Sequence, residues 1–275
     1  GAIGGKGRRQ QGAQRSESRG LESLRVRPPW GHERGGMEDG RLQDLAERLR
    51  DRGEALFAVE SRRPLPAFDI LGFSLSYELG ATNILSMLEL AQIPIRPADR
   101  GHLPLADPAA PPLIFAGGPT ATSNPEPFAA FFDFVVLGDG EEVLPEIGLV
   151  VAEAKAAGLS RRELLIDLAQ VPGVYVPSLY GPGPDDITQV PLVQGIPARV
   201  LRRTATPMPH YAMGLVPHIE TVHDRLTVEI RRRRTRRCRF CQPGLPPRPA
   251  RRVEPAAVIE PIHTGLQRHA PSDSI

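Results

Sequence analysis

Cysteine is scarce in this chain: two of 275 residues, Cys238 and Cys241, three positions apart. So close a pair builds no disulfide framework, and the composition points to a compartment that keeps thiols reduced, with cytoplasmic localisation expected. Lysine is scarcer still, since only Lys6 and Lys155 are lysine among 34 basic residues. No apolar run reaches the roughly 18 residues of a membrane span, and the N-terminus has no apolar signal-peptide core, so no membrane partner is expected. Acid is missing from one stretch. Between Arg231 and Arg252 stand ten arginines and no Asp or Glu, so with a net charge of +2 the remainder carries −8 (2 minus 10).

What is present supports a core. Hydrophobic residues make up 40% of the chain, though 30 prolines and 27 glycines imply much loop. Residues 1–40, rich in Gly, Arg, Gln and Ser, show neither helical nor strand periodicity and are expected to be disordered. Residues 41–158 alternate apolar runs with helical spacing. Leu42, Leu45, Ala46 and Leu49 predict a helix stopping at Gly53. Strands are expected at Ala55–Val59, Phe68–Leu75, Leu113–Ala116 and Phe134–Leu137. Between them, helices are expected at Thr82–Gln92, at Pro125–Phe132 with Asn124 as N-cap, and at Glu141–Ala157 ending on Gly158. Near-continuous apolar strands alternating with helices predict an α/β fold, a doubly wound Rossmann-like parallel sheet. Residues 159–225 hold one helical stretch, Arg161–Ala169, then a Pro/Gly-rich run read as a linker. Residues 226–275 offer one strand, the cysteine pair, and a helix from Glu254 that Pro261 is expected to interrupt.

The cysteines follow the strand-like Leu226-Thr-Val-Glu-Ile230, which puts two soft thiolates at a strand's carboxyl end, a usual place for metal and cofactor chemistry in α/β proteins. Around them the chain resembles the front half of a cobalamin-binding-domain-containing radical S-adenosylmethionine (radical SAM) family. The resemblance runs through Glu60-Ser-Arg-Arg-Pro64, Phe68-Asp-Ile-Leu-Gly-Phe-Ser-Leu-Ser-Tyr-Glu-Leu79, Gly117-Gly-Pro-Thr120, Asn124-Pro-Glu-Pro127 and Gly138-Asp-Gly-Glu-Glu142. It continues into Glu229-Ile-Arg-Arg232 and Cys238-Arg-Phe-Cys-Gln242. Each piece alone is a weak signal; their order and spacing together are specific.

That resemblance implies a cobalamin-binding-type domain at residues 41–158 and the first strand of a radical SAM (β/α) barrel at 226–275. In an intact relative, Cys238 and Cys241 hold iron of a [4Fe–4S] cluster, Phe240 lies near the SAM adenine, and SAM cleavage starts radical chemistry on an unidentified small or macromolecular substrate. The family's loop carries three cysteines as Cys-x-x-x-Cys-x-x-Cys. Here Arg234 stands at the first position, and arginine cannot ligate iron. The usual cobalamin signature with its cobalt-ligating histidine is also missing, as no histidine lies between His32 and His102. The chain therefore reads as an inactive fragment of such a protein.

Residues expected to line a cofactor crevice are Ser74, Ser76, Tyr77 and Glu78 after the second strand, and Gly117, Gly118 and Pro119 after the third. Gly138 and Gly140 follow the fourth. Glycines there let backbone N–H groups approach a ligand, as at α/β crevices generally; a plain tight turn explains them equally. Asp139 or Glu141 is expected to cap the following helix. Other readings stay open: zinc held by Cys238, Cys241, His218 and His223; a non-catalytic α/β ligand-binding or interaction module; or a nucleic-acid binder using the six arginines of residues 231–237.

Overall fold

The computed structural model describes residues 39–58, 61–209, 228–232 and 250–268. The apolar run predicted as the strongest strand becomes β1 (Ile70–Ser74), which leads into α2 (Gly80–Leu90), preceded in the chain by α1 (Asp39–Arg52). β2 (Leu113–Gly117), the five-residue α3 (Pro119–Ser123), β3 (Phe134–Val136) and α4 (Gly140–Ala157) follow. β1, β2 and β3 pair in parallel in sequence order, with Ser74 opposite Gly117 and Phe115 opposite Phe134. Their carboxyl ends therefore share one edge. Double winding also needs a reversal of strand order, and the described strands run β1-β2-β3-β4 without one.

Packing explains the order. Gly72 of β1 faces Phe115 of β2, and a Cβ there would stand 2.4 Å from the ring, so the missing side chain makes room for it. Phe115 in turn stacks on Phe134 at 4.9 Å. Helix α4 covers the sheet with Val143, Ile147, Val151 and Ala154, all buried at helical spacing, and turns its exposed Leu149 to solvent. It ends at Gly158 in the left-handed conformation, where Lys155 reaches back to Asp69 at 2.8 Å, just before β1. The first turn of α4 thus lies at the carboxyl edge and its last turn at the amino edge.

Several expectations change. Ala55–Val59 is not a strand of this sheet: Phe57 bridges Pro64 antiparallel across a turn in which Arg62 has φ 56°. The Asn124-capped segment is a 3₁₀ turn (Glu126–Phe131), with the Asn124 side chain accepting the Glu126 N–H at 3.1 Å. In the described part of the expected linker, residues 159–209, packed elements stand instead, and 210–225 lie outside the described residues. α5 (Arg161–Leu168) closes a capping box between Ser160 and Glu163, and β4 (Val174–Tyr175) joins the sheet as an antiparallel edge strand. Leu164, Leu168, Val174, Val176 and Leu179 are all part of the core. A small hairpin follows, β5 (Tyr180–Pro182) with β6 (Gln189–Pro191). Further on, β7 (Arg231–Arg232) pairs antiparallel with β8 (Arg251–Arg252), and α6 (Pro255–Arg268) runs through Pro261 without interruption. Among the described residues β7 has no parallel strand partner of the kind a (β/α) barrel needs. No described helix is long and apolar enough to cross a membrane. The expectation for residues 1–38 lies outside the described residues.

At the opposite edge from the strand ends, Asp133 sits inside the core. One carboxylate oxygen accepts from Arg100 at 2.8 Å and from the Ile114 N–H at 2.7 Å; the other accepts from Arg161 at 2.9 Å. Arg100 also donates to the carbonyls of Pro94, Ile95 and Phe131, and Arg161 to those of Pro111 and Pro112. Burial pulls the Arg100 guanidinium below its ordinary pKa, with Asp133 opposing the shift. Breaking such a pair leaves two buried cations without a counter-charge, a loss of about 3–5 kcal/mol. Asp133→Asn should lower unfolding free energy in urea by that order, whereas a change under about 1 kcal/mol would show that the two arginines are held by their carbonyl contacts alone.

Candidate functional site

The carboxyl edge of β1–β3 is the candidate site. Alternation at the end of β1 leaves Ser74 and Ser76 exposed, their hydroxyls 3.2 Å apart, and buries Leu75 between them. Tyr77 and Glu78 are exposed beyond them, Tyr77 by 59%. This is a polar rim with one aromatic ring.

The glycines serve a different close approach from the one expected. Gly118, at φ 99°, lies so near Leu75 that a Cβ would stand 2.8 Å from its carbonyl oxygen. Leu75 donates its N–H to Gly117 and accepts from Thr120. Gly138, at φ 114°, is crossed by the chain at Arg203, and a Cβ would meet the Arg203 carbonyl oxygen at 2.1 Å. There Arg203 donates to the Leu137 carbonyl at 2.9 Å and accepts from the Asp139 N–H at 3.2 Å. At Gly118 and Gly138 it is backbone of the same chain that would meet an added Cβ. Gly117 and Gly140 have only ordinary neighbours, and Pro119 opens α3.

Around the first turn of α4 the structure gathers charge that the sequence scatters over 110 residues. Asp139 occupies the N-cap position, but its side chain makes no cap hydrogen bond, contrary to expectation. Its carboxylate accepts the Ala205 N–H at 2.9 Å and faces Arg251 at 2.7 Å and Arg232 at 3.7 Å. Glu141 also pairs with Arg232. Glu229 accepts two bonds from Arg232, one at 3.0 Å, and the Met208 N–H at 3.0 Å. Arg203 pairs with Glu142 and Glu146. Hydrogen bonds that Arg232 donates to Glu229, and then to Glu141, hold its guanidinium above its ordinary pKa, and the Arg232 bond holds Glu229 below its own.

Cys238, Phe240 and Cys241, with His218 and His223, lie outside the described residues. Their flanks do not: Arg232 and Arg251 are cross-strand partners, so the stretch 233–250 begins and ends beside Asp139. Among the described residues no group of three or more His, Cys, Asp or Glu is placed to hold a metal. The donor set of the cysteine stretch, two thiolates with Arg234 in the third place, does not fit a three-thiolate cluster. Nor do the residues at the rim fit cobalamin bound through a histidine, with none between His32 and His102. For the nucleic-acid reading, Arg232 and Arg251 are already matched by carboxylates.

A family model described as radical SAM proteins, N-terminal, matches residues 40–177, half of the chain. The chain belongs to the radical SAM proteins. No curated protein and no solved structure matches it. The matched stretch runs from α1 past β4, so the family's N-terminal region ends beyond the expected boundary at 158, in agreement with the continuous core. It takes in the rim at Ser74–Glu78 and the Gly138-Asp-Gly-Glu-Glu142 turn of this radical SAM chain, and stops short of Glu229 and the cysteines.

Two outcomes test this geometry. Gly138→Ala combines an unfavourable φ with the clash against Arg203, and should release residues 200–207 from the edge; faster hydrogen exchange at Arg203 and Ala205 would report it, and unchanged exchange would contradict the crossing. Because Glu229 is depressed below its ordinary 4.5, its pairing stabilises the seat above that pH and is lost as pH falls through the lower folded value. A carboxyl-carbon NMR titration should put its midpoint below 4.5, and a midpoint at or above 4.5 would contradict the pairing with Arg232.

Proposed function

We propose that this radical SAM family chain is the N-terminal platform of a SAM-dependent radical enzyme, joined to the start of its cysteine-bearing catalytic half. The observation that carries the reading is the seating of Glu229-Ile-Arg-Arg232, six residues ahead of Cys238, on the Gly138-Asp-Gly-Glu-Glu142 turn of the family-matched domain. A platform in this role binds the second half at its strand ends, orients it, and presents a polar rim to whatever lies above.

In an intact relative, a [4Fe–4S] cluster would supply the electron that cleaves the sulfonium of SAM. In this chain Cys238 and Cys241 offer two thiolates, while Arg234 brings positive charge without a bond to iron. Turnover by the chain as it stands is therefore not expected. Cobalamin does not enter the proposal, since no histidine lies between His32 and His102 to ligate its cobalt.

Anaerobic reconstitution with iron and sulfide, followed by iron counting and EPR of the reduced protein, tests the reading. The chain should hold well under the roughly four irons of a cubane cluster. Arg234→Cys combined with Arg233→Gly and Arg237→Gly should raise the count and bring out a cubane signal. If the triple variant gains no iron, the cysteine pair is not the remainder of a cluster loop; if the unaltered chain already holds about four, the missing ligand is supplied elsewhere.

A further inference from the structure

The seat of the second half differs in kind from the rest of the molecule. The platform is held by a continuous apolar core ending near Ala205. Beyond it, none of the described apolar side chains in 228–232 and 250–265 is buried; Ile230 is 61% exposed and Ile259 55%. What fastens β7 and β8 to the platform, among the described residues, is charge. Arg232 and Arg251 face Asp139 and Glu141, and Glu229 grips Arg232 from the same strand region while reaching Met208.

The fastening is also incomplete. Arg251 approaches Asp139 at 2.7 Å without the alignment of a hydrogen bond, and all three of its guanidinium nitrogens are buried with no hydrogen-bond partner. Glu141 Oε2 is in the same state. Buried polar atoms left unmatched cost free energy that water would return on opening. Excluded salts such as sulfate tighten an apolar joint, whereas any salt screens charges in proportion to their exposure, here 17–28% of the side chains of Arg232, Arg251, Asp139, Glu141 and Glu229.

We infer that Asp139 and Glu141 form an ionic seat from which residues 228–232 and 250–253 leave and rejoin the platform as one unit, governed by ionic strength, while the α/β core stays folded. Arg203, tied to Glu142 and Glu146 and threaded across Gly138, stays with the platform and marks the boundary of the moving part. The inference stands whether or not iron binds.

Hydrogen–deuterium exchange on the full chain, without metal, tests it. Between low salt and about 0.5 M NaCl, where the Debye length falls to a few ångströms, the Val253 amide and the β7–β8 amides should exchange at least about tenfold faster, with β1–β3 unchanged. Asp139→Asn with Glu141→Gln should produce the same acceleration at low salt and remove the salt dependence. Unchanged β7–β8 exchange in salt overturns the inference, since something other than charge would then hold the seat. An equal acceleration of β1–β3 overturns it as well, because the carboxylates would then be supporting the whole fold. The salt titration needs no variant, and neither result depends on iron content.

Discussion

Asp133 is the constraint from which the rest follows. A carboxylate inside an apolar core is tolerable only with its charge matched and its lone pairs used, and here two guanidiniums and the Ile114 N–H meet both needs. Those partners come from the loop before β2, from the first residue of α5, and from β2 itself. One side chain therefore ties together three pieces of chain at the amino edge of the sheet. With the starts of β2 and β3 fixed and the strands in parallel register, their far ends can deliver Gly118 and Gly138 to the same edge.

At that edge the close approaches are made by the chain's own backbone. Leu75 occupies the approach to Gly118, and Arg203 that to Gly138. The turn after β3 then has an acidic surface facing the returning chain, and arginines on either side of the cysteine stretch meet it. On the proposed reading, labour is divided between an apolar-cored platform and a second part joined to its strand ends by charge. The long acid-free run of arginines then has a structural partner in at least two of its members, Arg232 and Arg251.

Much of the platform was legible in the residues. Phe68–Leu75 and Phe134–Leu137 read as strands because their apolar character is nearly unbroken, and α1, α2 and α4 because their stripes and their Gly53 and Gly158 stops are local signals. The Phe57–Pro64 turn was not legible, since an apolar run beside a residue at positive φ looks the same as a strand end. The supposed linker misled by composition: prolines and glycines masked Val174–Tyr175, an edge strand too short to show a period. Asp133 gave only a faint hint, one acid within Phe131-Phe-Asp-Phe-Val-Val-Leu137, because its partners Arg100 and Arg161 lie about thirty residues away on either side. The glycine turns were correctly placed at strand ends, yet sequence does not say whether a ligand or the chain itself makes the close approach. Of the seat, the three-residue spacing of Glu229 and Arg232 was the one local signal; Asp139 with Arg251 required the fold.

On this proposal, charge at the first turn of α4 joins β7 and β8 to the radical SAM platform. A double-mutant cycle on Glu141→Gln and Arg232→Gln, read as the opening free energy of the β7–β8 amides, measures that charge directly. A coupling of about 1 kcal/mol or more is predicted for this partly buried pair. Effects of the two substitutions that simply add, with coupling near zero, would contradict it.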